Sequence, residues 1–163
     1  MKIKILTETL SEQQKLLEEL LALLVRETGE LTGLHIDAMA EINGLKEDVA
    51  ARIEAHTTQL RQVIGEALAG AGLPPGATLG DLAALMKKQG DTGIPRLHVE
   101  LNMLAERVRQ AAAMNREIAE RFAATVNQSL GFLARILNQS NLYGVSGGYQ
   151  QRPAGAVMIN MEA

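Results

Sequence analysis

The chain is predicted to be all-α. The expected architecture is an elongated antiparallel coiled coil or helical hairpin of two long helices, with a short connecting helix and a flexible C-terminal tail. Three observations predict it. Apolar residues recur at three-four spacing over most of the 163 residues, the pattern of amphipathic helices packed along one another. The sequence is 47% hydrophobic yet only 2% aromatic, and it is rich in Ala, Leu, Glu and Gln, as long helices are. Ala69–Ala77 (AGAGLPPGA) and Gln89–Ile94 (QGDTGI) are dense in Gly or Pro and separate the periodic segments as turns.

In the first segment, Leu10, Leu17, Leu24, Leu31, Ala38 and Leu45 fall seven apart. Leu6, Leu20 and Leu34 fill the alternate position, with Gln13 and Glu27 as polar interruptions. After Leu45 the spacing lengthens through Val49 and Ile53, a stutter that locally unwinds a supercoil. His56, Leu60, Val63 and Ala67 then resume the heptad. This predicts a helix over about 7–68, either one very long helix or two nearly continuous ones. Bends are expected near Gly29–Gly33 rather than a break, because the seam keeps its phase across them. Some sixty residues at ~1.5 Å each would span roughly 90 Å.

After the first turn, Thr78-Leu-Gly-Asp81 has the form of a helix cap. The short helix, about 79–88, would pack Leu82, Leu85 and Met86 on the ends of the long helices. Pro95 suits the first turn of the last helix, about 95–138. Its seam runs through Leu97, Leu101, Leu104, Val108, Ala111, Asn115 and Ile118, and onward through Phe122, Thr125, Ser129, Phe132 and Ile136. Where Thr125 and Ser129 enter that seam, a second stripe sets in beside it: Val126, Leu130, Leu133 and Leu137. A helix with two adjacent stripes needs a second partner. That partner is the short helix, a second copy of the chain, or a helix from another protein. The helical domain is expected to cover 1–142. Beyond it, 143–163 is Gly-rich and Pro-broken, with a short apolar end at Ala156–Met161.

Composition excludes several classes. There are 16 basic and 19 acidic residues, a net charge of −3, so no general attraction to nucleic acid or anionic membrane is expected. The polar faces lack the Lys/Arg excess of a lipid-surface helix. Cysteine is absent, which excludes disulfides, thiolate metal sites and cysteine nucleophiles. Met1–Thr7 lacks the apolar core of a signal peptide, and no stretch approaches the roughly 20 apolar residues of a membrane span. A soluble cytoplasmic protein is expected. No phosphate-binding glycine loop precedes a helix. Each histidine (His35, His56, His98) lacks the Glu three residues earlier that a di-iron bundle uses. No catalytic constellation, metal or cofactor is expected, and the chain does not read as an enzyme.

Three residues stand out. His56 in the first seam is expected to be a core-edge histidine satisfied by a neighbour rather than a pH sensor. Asn115 in the last seam is expected to fix helix register, with a hydrogen bond to a bound peptide as the alternative. Tyr143, just beyond the last helix, is either a cap for the helix end or an anchor for another protein's pocket.

The order of these features resembles the FlgN family of flagellar export chaperones. Asp37, Ile42, Lys46 and Val49 resemble the family's run of Asp, Leu or Ile, Lys and Leu. Gly72–Leu85 (GLPPGATLGDLAAL) resembles its link between long helices, and Asn141-Leu-Tyr-Gly144 its Leu-Tyr-Gly ending. Asn115 matches the second Asn of the family's Asn-x-x-Asn, while Ala112 replaces the first. The resemblance implies a cytoplasmic chaperone, transiently at the export apparatus. Its partners would be the C-terminal amphipathic helices of the hook-filament junction proteins FlgK and FlgL. It would keep them from premature assembly and deliver them to the export gate component FlhA. The client surface is expected at Ile118, Phe122, Val126, Leu130, Leu133, Ile136 and Leu137, and gate docking at Leu142, Tyr143 and Gly144. The competing expectation is a structural coiled coil that assembles with itself through the second stripe.

Overall fold

The computed structural model describes residues 2–140, with side chains from Ile3 to Leu137. Among the described residues every regular element is an α-helix: α1 (Lys2–Gly33), α2 (Ile36–Gly70), α3 (Leu79–Lys88) and α4 (Gly93–Ser140). The chain divides into two units, Met1–Ala119 and Glu120–Ala163. Residues 141–163 lie outside the described residues, and with them the expected tail and the domain boundary at 142–143.

The helix expected over 7–68 is instead two antiparallel helices. The chain reverses at Leu34–His35, where Leu34 takes a left-handed φ of 57°. The His35 amide donates to the Glu30 carbonyl and the Leu34 amide to the Leu31 carbonyl, the paired bonds of a Schellman cap. Cross-links then count down α1 as they count up α2. Arg26 pairs with Glu41, Arg52 with Glu19, and His56 with Gln13. A Cβ at Gly33 would lie 2.8 Å from the exposed His35 ring, which would have to swing aside. Each helix is roughly 50 Å long.

The seven-residue spacing from Leu31 through Ala38 to Leu45 conceals this reversal. Leu45 is 42% exposed, whereas Ile42 and Val49 are fully buried. The inward face of α2 is therefore rotated from the one the spacing suggests. Leu34, expected in the seam, is exposed at the tip of the turn.

The α2 C-terminus is a second Schellman cap. Gly72 sits at φ 71°, with the Leu73 amide on the Leu68 carbonyl and the Gly72 amide on the Ala69 carbonyl. α3 begins on a complete capping box. The Asp81 amide donates to Thr78 Oγ1, and the Thr78 amide donates to the Asp81 carboxylate at 2.7 Å. The Thr78 amide foremost, and then the Thr78 hydroxyl, which donates to the same carboxylate oxygen at 2.8 Å, hold the Asp81 carboxyl below its ordinary pKa. α3 ends with Lys87 and Lys88 at its negative end. Before α4, the Asp91 carboxylate accepts from the Gly93 amide at 2.7 Å.

The apolar cluster at the base draws on all four helices: Leu6 and Leu10, Ala67, Leu82 and Ala83, and Ile94 and Leu97. The early turns of α1 and α4 thus meet. Further along, Glu27 of α1 meets Asn115 of α4, so α1 and α4 run parallel. α2 is antiparallel to both. The hairpin of long helices with a short connecting helix is α2–α3–α4, and α1 lies beside it as a third long helix.

Candidate functional site

Two features of α4 are candidates, one buried and one exposed. The buried one centres on Asn115, which is 4% exposed. Its Nδ2 donates to the Leu24 carbonyl and to Glu27 Oε2, both at 2.8 Å. Its Oδ1 accepts from the Thr28 hydroxyl at 2.6 Å. The other Glu27 oxygen accepts from Lys46 Nζ of α2 at 2.5 Å. Three helices are tied at one level, and no buried side-chain nitrogen or oxygen among the described residues lacks a partner. A polar group in an apolar seam is tolerated only where its partners are present. The knot therefore fixes the level at which α4 lies against α1 and α2. The register reading of Asn115 holds, and the alternative of a bond to a bound peptide is not needed to satisfy it. Glu27 and Lys46 lie on different helices, and only the reversal at Leu34 brings them together. His56 is likewise satisfied, by Gln13 Oε1 at 2.9 Å.

The exposed feature begins after Ile118, which is half-buried. From Phe122 to Leu137 every large apolar side chain is exposed, between 39% at Val126 and 64% at Leu137. The set includes the expected Phe122, Val126, Leu130, Leu133, Ile136 and Leu137. It adds Phe132, at 62%, which the seam contained but the expected site omitted. α3 buries Leu82 and Ala83 in the base cluster. The stripe of Val126, Leu130, Leu133 and Leu137 remains exposed. Exposed apolar side chains clustered along one helix make this stretch a candidate for partner binding. Leu142, Tyr143 and Gly144 lie outside the described residues.

Among the described residues no group of three or more His, Cys, Asp or Glu side chains could hold a metal ion. No helix there is long and apolar enough to cross a membrane.

The model of the FlgN protein family matches residues 1–151. The chain belongs to the FlgN family. Its general role is that of a flagellar export chaperone, and the family is a chaperone family rather than an enzyme family. No curated protein and no solved structure matches the chain. The FlgN match spans both units. The residues that resemble the family's run acquire structural reasons. Ile42 and Val49 are buried on the inward face of α2, Lys46 joins the buried knot, and Asp37 lies in the first turn of α2, at its positive end.

Proposed function

We propose that the chain binds the C-terminal amphipathic helices of FlgK and FlgL through the exposed face of α4. It thereby keeps these subunits from assembling prematurely and delivers them to the export gate component FlhA. The observation that supports this reading most is the run of exposed apolar side chains from Phe122 to Leu137 on a regular helix. A helix of this kind recognises a partner helix by apolar anchors at three-four spacing. Assembly subunits with an uncovered amphipathic terminal helix aggregate, and covering that helix removes the hazard. If the client helix is disordered when free, its ordering cost offsets part of the gain and leaves release feasible. Ile118 would sit at the edge of the client surface, shared with the core.

The test replaces Leu130, Phe132, Leu133 and Ile136 together by Glu. Binding of full-length FlgK or FlgL, followed by calorimetry, should weaken at least ~100-fold, because charges would be buried without partners. The far-ultraviolet dichroism and thermal midpoint should be unchanged. Binding that survives the fourfold change would place the client elsewhere.

Gate docking by Leu142, Tyr143 and Gly144 rests on the family's Leu-Tyr-Gly ending. Tyr143→Ala should leave client affinity intact and weaken capture by FlhA. Equal loss of both would show that Tyr143 belongs to the client surface instead.

A further inference from the structure

The exposed apolar face of α4 is wider than one partner helix can cover. At about 100° per residue, Phe122, Val126, Leu130 and Leu133 form one stripe, and Phe132 and Ile136 form a second. The stripe centres are about 90° apart, and the whole apolar arc covers about 160°. A coiled-coil seam against a single neighbour is narrower than about 100°. Two neighbours of one helix in a small bundle lie roughly 60–90° apart around it. Both stripes are exposed.

The apolar arc is prepared for burial. From Phe122 to Leu137, Thr125 and Ser129 are the polar residues on it, and each hydroxyl already donates to a backbone carbonyl of its own helix. Thr125 bonds Arg121 and Ser129 bonds Thr125, both at 3.0 Å. Neither hydroxyl would be stranded in a dry interface. Between Phe122 and Ser140 the sequence has a single charge, Arg135. An exposed helix that stays in water normally carries charge on its outer face. This one has Ala, Asn, Gln and Gly there instead. Upstream, α4 itself is packed by two helices: Asn115 bonds α1, and Ile94 and Leu97 share the base cluster with Ala67 of α2.

We infer that the segment from Phe122 to Ser140 takes two client helices side by side, one on each stripe, completing a small bundle. Each would be amphipathic, about 18–20 residues long to match the segment, and free of charge on its buried face. The identity of the occupant rests on the chaperone reading above. A second copy of the chain fits less well, because two such segments pairing through one stripe leave the other stripe of each uncovered.

The experiment titrates the full chain with single-helix peptides and counts them by calorimetry and sedimentation equilibrium. The probes are the C-terminal helices of FlgK and FlgL and an 18-residue Leu/Gln model amphipathic helix. Two peptides per chain are expected. Leu130→Glu with Leu133→Glu should lower the count to one, and so should Phe132→Glu with Ile136→Glu; all four together should lower it to none. Affinity should change little between low and high salt, since few charges are involved. Saturation at one peptide overturns the inference, as does loss of all binding from either pair of substitutions. A chain that is trimeric alone, and must dissociate to bind, overturns it too. If FlgK and FlgL peptides bind at one per chain, the client assignment stands without the two-helix surface. If only the model helix binds, at two per chain, the surface stands and the client assignment falls.

Discussion

The two ends of α4 carry one heptad pattern and meet opposite fates. Leu97, Leu104 and Asn115 are buried, while Phe122, Phe132 and Ile136, on the same helix, are exposed. The first stretch is edged by charged residues such as Glu100, Glu106, Arg107 and Arg109, while the second has only Arg135. Spacing therefore states which face of a helix is adhesive and not what it adheres to. The charge content of the remaining faces is the more informative difference. A helix whose partners are fixed within the chain keeps a charged outer face, and this one loses it where no described residue buries its apolar face.

A matched pair of substitutions breaks or upholds this contrast most directly. Leu10 is 1% exposed in the base cluster, and Leu10→Ala should cost about 3 kcal/mol in urea unfolding. Leu130→Ala, the same chemical change at an exposed site, should cost less than about 0.5 kcal/mol. Comparable losses would mean that Leu130 is part of a core. Next in size is Asn115→Ala. It removes donors from the Leu24 carbonyl and Glu27 and leaves the Thr28 hydroxyl without that acceptor, so about 2 kcal/mol should be lost. An unchanged urea midpoint would show that the knot does not hold α4. The smallest effect has the opposite sign. Leu34 occupies a left-handed conformation that costs an L-residue roughly 1–2 kcal/mol, and its side chain is exposed. Leu34→Gly should raise stability by about 1 kcal/mol after the added chain entropy is counted. A loss would mean that the Leu34 side chain makes contacts worth more than the strain.

The parts of the candidate surface legible in the sequence are those whose signal is local to one helix. The exposed stripe from Val126 to Leu137 was visible as a second periodicity, and Asn115 as a polar residue in an apolar seam. Phe132 was in the seam but was not assigned to the surface, because a seam residue is ordinarily core. Glu27 was visible only as an interruption, and Lys46 only as part of the family-like run. Their pairing needs the turn at Leu34, for which no Gly or Asn stands at the left-handed position to announce it. Gly33, one residue earlier, was the available signal, and the unbroken seven-residue spacing argued against it.

The sequence by itself determined that the chain is helical, where α3 starts and stops, and which faces of α4 are apolar. Each of these follows from local chemistry: capping side chains, turn residues and the period of apolar positions. Tertiary structure alone decided that the first helical segment folds back on itself and that Ile42 rather than Leu45 faces inward. It also decided that Asn115 is held by α1 and that the apolar face stays open beyond Ile118. The reason is that a heptad phase has no direction. Spacing reads the same whether a helix continues or reverses, and only the long-range bonds of Glu27, Lys46 and Asn115 distinguish the two.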